Sequence, residues 1–244
     1  KIGSVCLASK AALKTGCGLV TAFVPQCGII PLQSNIPEVM AIADSNQSYI
    51  SHIDFGISPN AIGIGPGMGT QSKTTEALHQ FLKQNTTPMV IDADALNILS
   101  SNKEWLSLLP PQTILTPHPK ELSRLIGEWE NDFEKIEKVQ AFAKRYKVIA
   151  VIKGAHTLIA TPDKLFVNSS GTPALATAGT GDVLTGIITS LRAQGYEAES
   201  AALLGVYIHG ATASITSTTI NPRSFIASDV IDNIGEVYFK LENK

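Results

Sequence analysis

The stretch Ala176-Thr177-Ala178-Gly179-Thr180-Gly181-Asp182 joins small and hydroxyl residues to a segment in which Val183, Leu184, Ile187, Ile188 and Leu191 recur at helical spacing until Gly195. It predicts a loop feeding a buried helix, and that limits what the rest of the chain can build. The first turn of such a helix carries backbone N–H groups without intrahelical partners and the positive end of the dipole, so it attracts a phosphate or a developing oxyanion. Gly179 and Gly181 let the backbone approach a ligand closely. Asp182 does not fit a plain anion site, because an acid there repels the group the turn would bind unless it takes a proton or holds a cation. A helix cap is the competing reading. The uncharged approach from Thr172 to Gly181 weakens it.

The chain length, 244 residues, suits one large α/β domain or two small ones. With 44% hydrophobic and 16% charged residues it can build a sizeable core. A net charge of -2 argues against nucleic-acid or membrane-surface binding carried by bulk charge, which leaves a small partner. Cys6, Cys17 and Cys27 have no C-x-x-C spacing and suit a reducing compartment. With no apolar run long enough to span a bilayer, the expected location is cytoplasmic.

Read in order, Ser4 to Thr15 is an Ala-rich helix whose alanines 8, 11 and 12 suggest close packing on a sheet. Strands are expected at 19–24, 39–43, 61–64, 88–91, 113–116 and 148–152, with a hairpin around Pro162-Asp163 giving an antiparallel edge. Helices are expected at 73–84 (capped by Ser72), 133–146, 182–194, 199–216 and 228–239. The glycines of Gly65-Pro66-Gly67-Met68-Gly69 do not match the dinucleotide fingerprint, yet a Gly-rich strand-to-helix turn is a fair ligand contact. Polar clusters end two further strands: Asp92-Ala93-Asp94-Ala95-Leu96-Asn97 and Pro117-His118-Pro119-Lys120-Glu121. In parallel α/β sheets ligands sit at those carboxyl ends. Taken alone, His118 reads as a surface-loop histidine and Lys153 as a strand-end charge reaching water. The absence of linkers and repeats implies a single domain over 1–244. Because the chain opens in a helix, a first strand and a Gly-rich turn are expected upstream of Lys1.

With these pieces in order, the chain resembles the ADP- or ATP-dependent NAD(P)H-hydrate dehydratases of the ribokinase-like superfamily. The carrying motifs are Gly65-Pro66-Gly67-Met68-Gly69, Asp92 to Asn97, Thr116-Pro117-His118-Pro119-Lys120-Glu121, Lys153-Gly154-Ala155-His156-Thr157, Asn168 with Gly171, and Gly179 to Gly186. The resemblance implies a three-layer α/β/α fold with a mostly parallel central sheet and an antiparallel edge. It further implies repair of the S form of NADH and NADPH hydrate: the ring hydroxyl is phosphorylated by ADP or ATP, with Mg²⁺, and then lost as phosphate.

On the same resemblance, Asp182 is the base and the amides of Gly179, Thr180 and Gly181 hold the transferring phosphoryl. Lys153, Gly154, Ala155, His156, Thr157 and Gly181 contact the nucleotide. Gly67, His118 and Asp182 contact the hydrate, as does Ser4, which stands where the family usually has alanine; Asp94 and Asn97 are second choices. Glu121 would organise Mg²⁺ through water, or else serve as the first-turn acid of its helix. The α-helix dipole is expected to keep Asp182 ionised. A homotetramer and a fused or separate hydrate epimerase are also implied. Two rivals share the same turn: a kinase for a vitamin-precursor alcohol, and a non-catalytic nucleotide-binding module.

Overall fold

The computed structural model describes residues 1–243. Six strands form one sheet in sequence order: β3 (Ile62–Ile64), β4 (Met89–Ile91), β5 (Ile114–Leu115), β6 (Ile149–Ile152), β7 (Thr157–Ala160) and β8 (Leu165–Asn168). The pairs from β3 to β6 are parallel, and β7 and β8 add the antiparallel edge. Two earlier strands, β1 (Thr21–Val24) and β2 (Met40–Ala43), pair parallel with each other in a separate two-stranded sheet.

Strand periodicity sets the layers. Val90, Ile114, Ile149 and Val151 pack into one core, while their chain neighbours Met89, Ile91 and Leu115 join a second and Ala150 and Ile152 a third. Residues alternate across the sheet plane, so both faces are apolar and need helices. One face receives α1 (Ile2–Lys14), α7 (Thr180–Ala193), α8 (Ala198–Thr216), α9 (Ala227–Asp232) and α10 (Ile234–Glu242). The other receives α3 (Ser72–Gln84), α4 (Ala93–Ser101), α5 (Pro119–Ile126) and α6 (Asp132–Tyr146). The short α2 (Ile29–Asn35) closes a small core over β1 and β2. Each fully buried Leu, Ile or Val contributes about 1.5–3 kcal/mol, so these cores outweigh any single polar contact.

The alanines of α1 pack against α7 rather than directly on the sheet. A methyl group at Gly186 would lie 2.1 Å from the Ala8 carbonyl oxygen and 3.0 Å from Ala11 Cβ, so only glycine permits this approach. Further along, Gln194 Nε2 donates to Thr15 O at 3.0 Å. Ala8 opposite Gly186 and Thr15 opposite Gln194 make the two helices run parallel. One turn back, Ser4 is brought to Asp182.

Several expected boundaries shift. Ser72 is the first residue of α3 and caps nothing, Gln71 being the N-cap without a side-chain bond. The helix expected at 228–239 is two helices broken at Asn233, and Asp229 steadies the first by accepting from the Ile226 N–H at 2.8 Å.

Candidate active site

The carboxyl ends of the parallel strands present one row of polar residues. Backbone bonds extend the ladder past the strands: Asp92 N–H to Ile64 O at 3.0 Å, Thr116 N–H to Ile91 O at 3.0 Å, and Lys153 N–H to Pro117 O at 2.9 Å. Gly65 makes the row possible at its first position. It adopts φ +119°, and a Cβ there would sit 1.8 Å from the Asp92 carbonyl oxygen. Gly67 and Gly69 also have positive φ, 64° and 84°, which accounts for three glycines at alternate positions.

Asp92 is the buried centre of the row, 2% exposed. Lys153 Nζ donates to its Oδ1 at 2.6 Å and Thr185 Oγ1 to its Oδ2 at 2.9 Å. Lys153 therefore turns inward to a carboxylate, correcting its reading as a charge reaching water. Its Nζ also lies 4.0 Å from Glu121 Oε2. The resulting cluster of Asp92, Lys153 and Glu121 faces the start of α7. An added Cβ at Gly181 would be 3.4 Å from Lys153 Nζ and 3.7 Å from Asp92 Oδ2.

The α7 turn is open. Gly179 is its N-cap at φ 89°, with no side-chain cap bond, and the first backbone bond back into the turn is from Val183 N–H to Gly179 O at 3.1 Å. Among the described residues nothing accepts from the N–H groups of Thr180, Gly181 or Asp182. Thr180 spends its hydroxyl elsewhere, donating to Leu175 O at 2.8 Å and Thr177 O at 3.0 Å.

Asp182 is partly buried at this turn and caps nothing. Its pKa is raised, first by burial and then by the charge of Asp92, while the Ser4 hydroxyl and Lys153 pull it back. Burial thus works against the dipole that was expected to favour the ionised form, and the carboxylate is a stronger base than an exposed aspartate.

Glu121 and His118 close the start of α5 with their own side chains. His118 Nδ1 accepts from Lys120 N–H at 3.1 Å and Glu121 N–H at 3.2 Å, while Glu121 Oε2 accepts from His118 N–H at 2.9 Å. Two N–H groups aimed at Nδ1 place the ring proton on Nε2 in the neutral imidazole. His118 is thereby a helix cap rather than a free loop histidine, its side chain still 45% exposed. Glu121 is 6% exposed, and burial raises its pKa.

The second-choice residues bind neighbouring segments. Asp94 Oδ2 accepts from Gly69 N–H at 2.9 Å, and Asn97 Oδ1 accepts from Arg124 Nη1 at 2.6 Å. Gly67 lies against the Lys1 backbone. Gly154, Ala155 and His156 form an exposed turn between β6 and β7, and Thr157 opens β7.

Asp92 and Thr185 did not stand out as site residues in the sequence, although a signal for Asp92 was present. Continuing the alternation of β4 past Ile91 puts Asp92 on the Val90 side, facing α7. Two surface clefts of about 310 Å³ and 370 Å³ lie elsewhere, beside Lys14 and His52, and include none of this row.

Unpartnered amides at a helix start, beside a carboxylate and a half-buried lysine, suit phosphoryl transfer. A family model described as NAD(P)H-hydrate dehydratase matches residues 1–234. The chain belongs to that family. Among the relatives of this NAD(P)H-hydrate dehydratase family member, the bifunctional NAD(P)H-hydrate repair enzyme Nnr of Moorella thermoacetica is 36% identical over 99% of this chain and 48% of its own. The ADP-dependent (S)-NAD(P)H-hydrate dehydratase of Neisseria meningitidis is 39% identical over 87% of this chain and 72% of its own. The ADP/ATP-dependent NAD(P)H-hydrate dehydratase of Bacillus subtilis, co-crystallised with ATP and Mg²⁺ and soaked with CoA, superposes with TM-score 0.82 at 27% identity, covering 98% of this chain and 87% of that one. The chain spans about half the length of the first curated relatives it matches. The ribokinase-like architecture expected from the sequence stands.

Proposed function

We propose that the chain dehydrates the S form of NADH and NADPH hydrate at the expense of ADP or ATP. The observation that carries this reading is the open α7 turn with Asp182 in it, in a chain of this family. Hydroxide is a poor leaving group, so the ring hydroxyl must first become phosphate. Asp182 takes the hydroxyl proton as the oxygen attacks the terminal phosphorus, and the bond from that phosphorus to the nucleotide breaks. The amides of Thr180 and Gly181, with Gly179 shaping the turn, hold the charge on the phosphoryl oxygens. The ring nitrogen lone pair then expels phosphate, and loss of a proton from the adjacent carbon restores the reduced ring. With ADP the products are NADH or NADPH, AMP and phosphate.

Lys153, the turn 154–156, Thr157 and Gly181 receive the nucleotide. Lys153 lies between Asp92 and the turn, within reach of an arriving phosphate. Ser4, Gly67, His118 and Asp182 border the hydrate, with Asp94 and Asn97 holding the walls.

Among the described residues no group of three or more His, Cys, Asp or Glu converges as a metal cage. Asp92 and Glu121 flanking one lysine fit a Mg²⁺ that keeps its waters and binds chiefly through nucleotide phosphates. They would hold it, and it would supply charge neutralisation. A homotetramer, a cytoplasmic location and a hydrate epimerase partner, fused or separate, complete the reading, and the bifunctional repair enzyme of Moorella thermoacetica has room for a second unit, since this chain covers 48% of it. No described helix is long and apolar enough to cross a membrane.

The test is to incubate the protein with NADH hydrate, Mg²⁺ and ADP or ATP. Recovery of absorbance at the reduced-nicotinamide band is expected. Nucleotide binding without recovery, or phosphorylation of a vitamin-precursor alcohol instead, would reject the reading.

A further inference from the structure

His209 lies in the middle of α8, 29 residues from the α7 turn, and belongs to none of the motifs above. Its Nε2 is 2.9 Å from the carbonyl oxygen of Thr180. That oxygen can only accept, so Nε2 carries the proton. Burial, with Lys153 opposing a second positive charge, lowers the ring pKa to about 4, so the histidine is a neutral donor at any pH where the enzyme would work.

We propose that His209 is a positioning residue that fixes the phosphoryl-binding amide of Gly181. The Thr180 carbonyl and the Gly181 N–H belong to one rigid, planar peptide unit. A hydrogen bond on the oxygen sets the plane in which the N–H points, and polarising the carbonyl makes the same N–H a better donor. The Thr180 carbonyl also accepts the first in-helix bond of α7, from Leu184 N–H, and His209 adds a side-chain hold at a point where glycines stand on both sides. Gly179 holds φ 89° and Gly181 has no side chain to anchor it. The Thr180 hydroxyl secures only the upstream side, through Leu175 and Thr177.

α8 also supports the preceding loop next to His209. A Cβ at Gly210 would meet Ser170 Oγ at 2.3 Å and its carbonyl oxygen at 2.8 Å, so the loop lies directly on the helix. Ser170 Oγ reaches Tyr207 O at 3.4 Å. Tyr207, His209 and Gly210 thus form one rack under the loop 168–180. The role of Gly181 rests on the function proposed above, but the peptide plane and its support do not.

The test compares two amides. In His209→Gln the side-chain nitrogen falls where Nε2 was, whereas in His209→Asn it stops short. His209→Asn is expected to lower kcat for hydrate dehydration about tenfold, less than the 10²–10³ seen when such a donor is removed outright, with KM for the hydrate unchanged. His209→Gln is expected to recover kcat to within about threefold of the parent. Equal kcat in both variants and the parent would overturn the proposal, as would equal losses that follow a fall in Tm. If the parent protein fails to dehydrate the hydrate, calorimetric titration with ADP and Mg²⁺ replaces kcat. Weaker ADP binding in Asn than in Gln then upholds the positioning role, and identical binding removes it.

Discussion

The starts of α5 and α7 approach Lys153 from opposite faces of the sheet and are finished in opposite ways. At α5 the side chains of His118 and Glu121 satisfy three backbone N–H groups between them, one of them His118's own. At α7 the amides of Thr180, Gly181 and Asp182 have no partner among the described residues, although Thr180 and Asp182 are polar enough to cap. Free N–H groups in a partly buried turn cost stability unless something else satisfies them. The chain thus closes one helix with its own side chains and leaves the first amides of the other open.

The largest expected effect comes from removing the charge at the open end. Asp182→Asn keeps shape and amides, so calorimetry should show ADP binding retained while kcat falls at least about 10². Near-normal turnover would strip Asp182 of its role.

Next comes Gly181→Ala, which separates function from stability at the same turn. The added methyl has room, 3.4 Å from Lys153 Nζ, and alanine is the better helix former, so thermal stability should hold or rise. The methyl would fill the space between the turn and Lys153 that the nucleotide phosphates are proposed to enter, so the KM for nucleotide should increase about tenfold. The closed end predicts the reverse: His118→Ala should cost about 1 kcal/mol, the worth of a cap, lowering Tm about 2–4 °C in a protein of this size, with nucleotide KM unmoved.

The smallest effect is on the pH profile. Asp182 must be ionised to act, so activity is lost as pH falls through its pKa. Since burial raises that pKa above the ordinary 3.8, the acid limb of kcat/KM should lie above that value, and it should rise further in Ser4→Ala, where a hydroxyl that stabilises the anion is gone. An acid limb below pH 3.8 would contradict the assignment.

The contrast between the helix starts was half legible in the sequence. Gly179-Thr180-Gly181-Asp182 was legible as a loop feeding a helix because its two glycines interrupt the pattern just before the apolar repeat begins. His118 misled, because a histidine between two prolines reads as a loop residue until the partners of its Nδ1 are known. Asp92 and Asp94 are two residues apart in one motif, and composition favours neither. Only the face of β4 on which Asp92 falls assigns it to Lys153, while Asp94 is drawn to Gly69. His209 left no local trace at all, since its partner is set by the packing of α8 on α7. The strands were placed within about two residues because their apolar runs are short and bounded by Gly, Pro or Asp, but hydropathy carries no record that β1 and β2 stand apart from the main sheet.

The most direct test is a crystal structure with ADP and Mg²⁺. The terminal phosphate should lie within hydrogen-bond distance of the Thr180 and Gly181 amides, with the His118–Glu121 cap intact. A phosphate bound elsewhere, with the α7 amides bonded to the protein itself, would contradict the account.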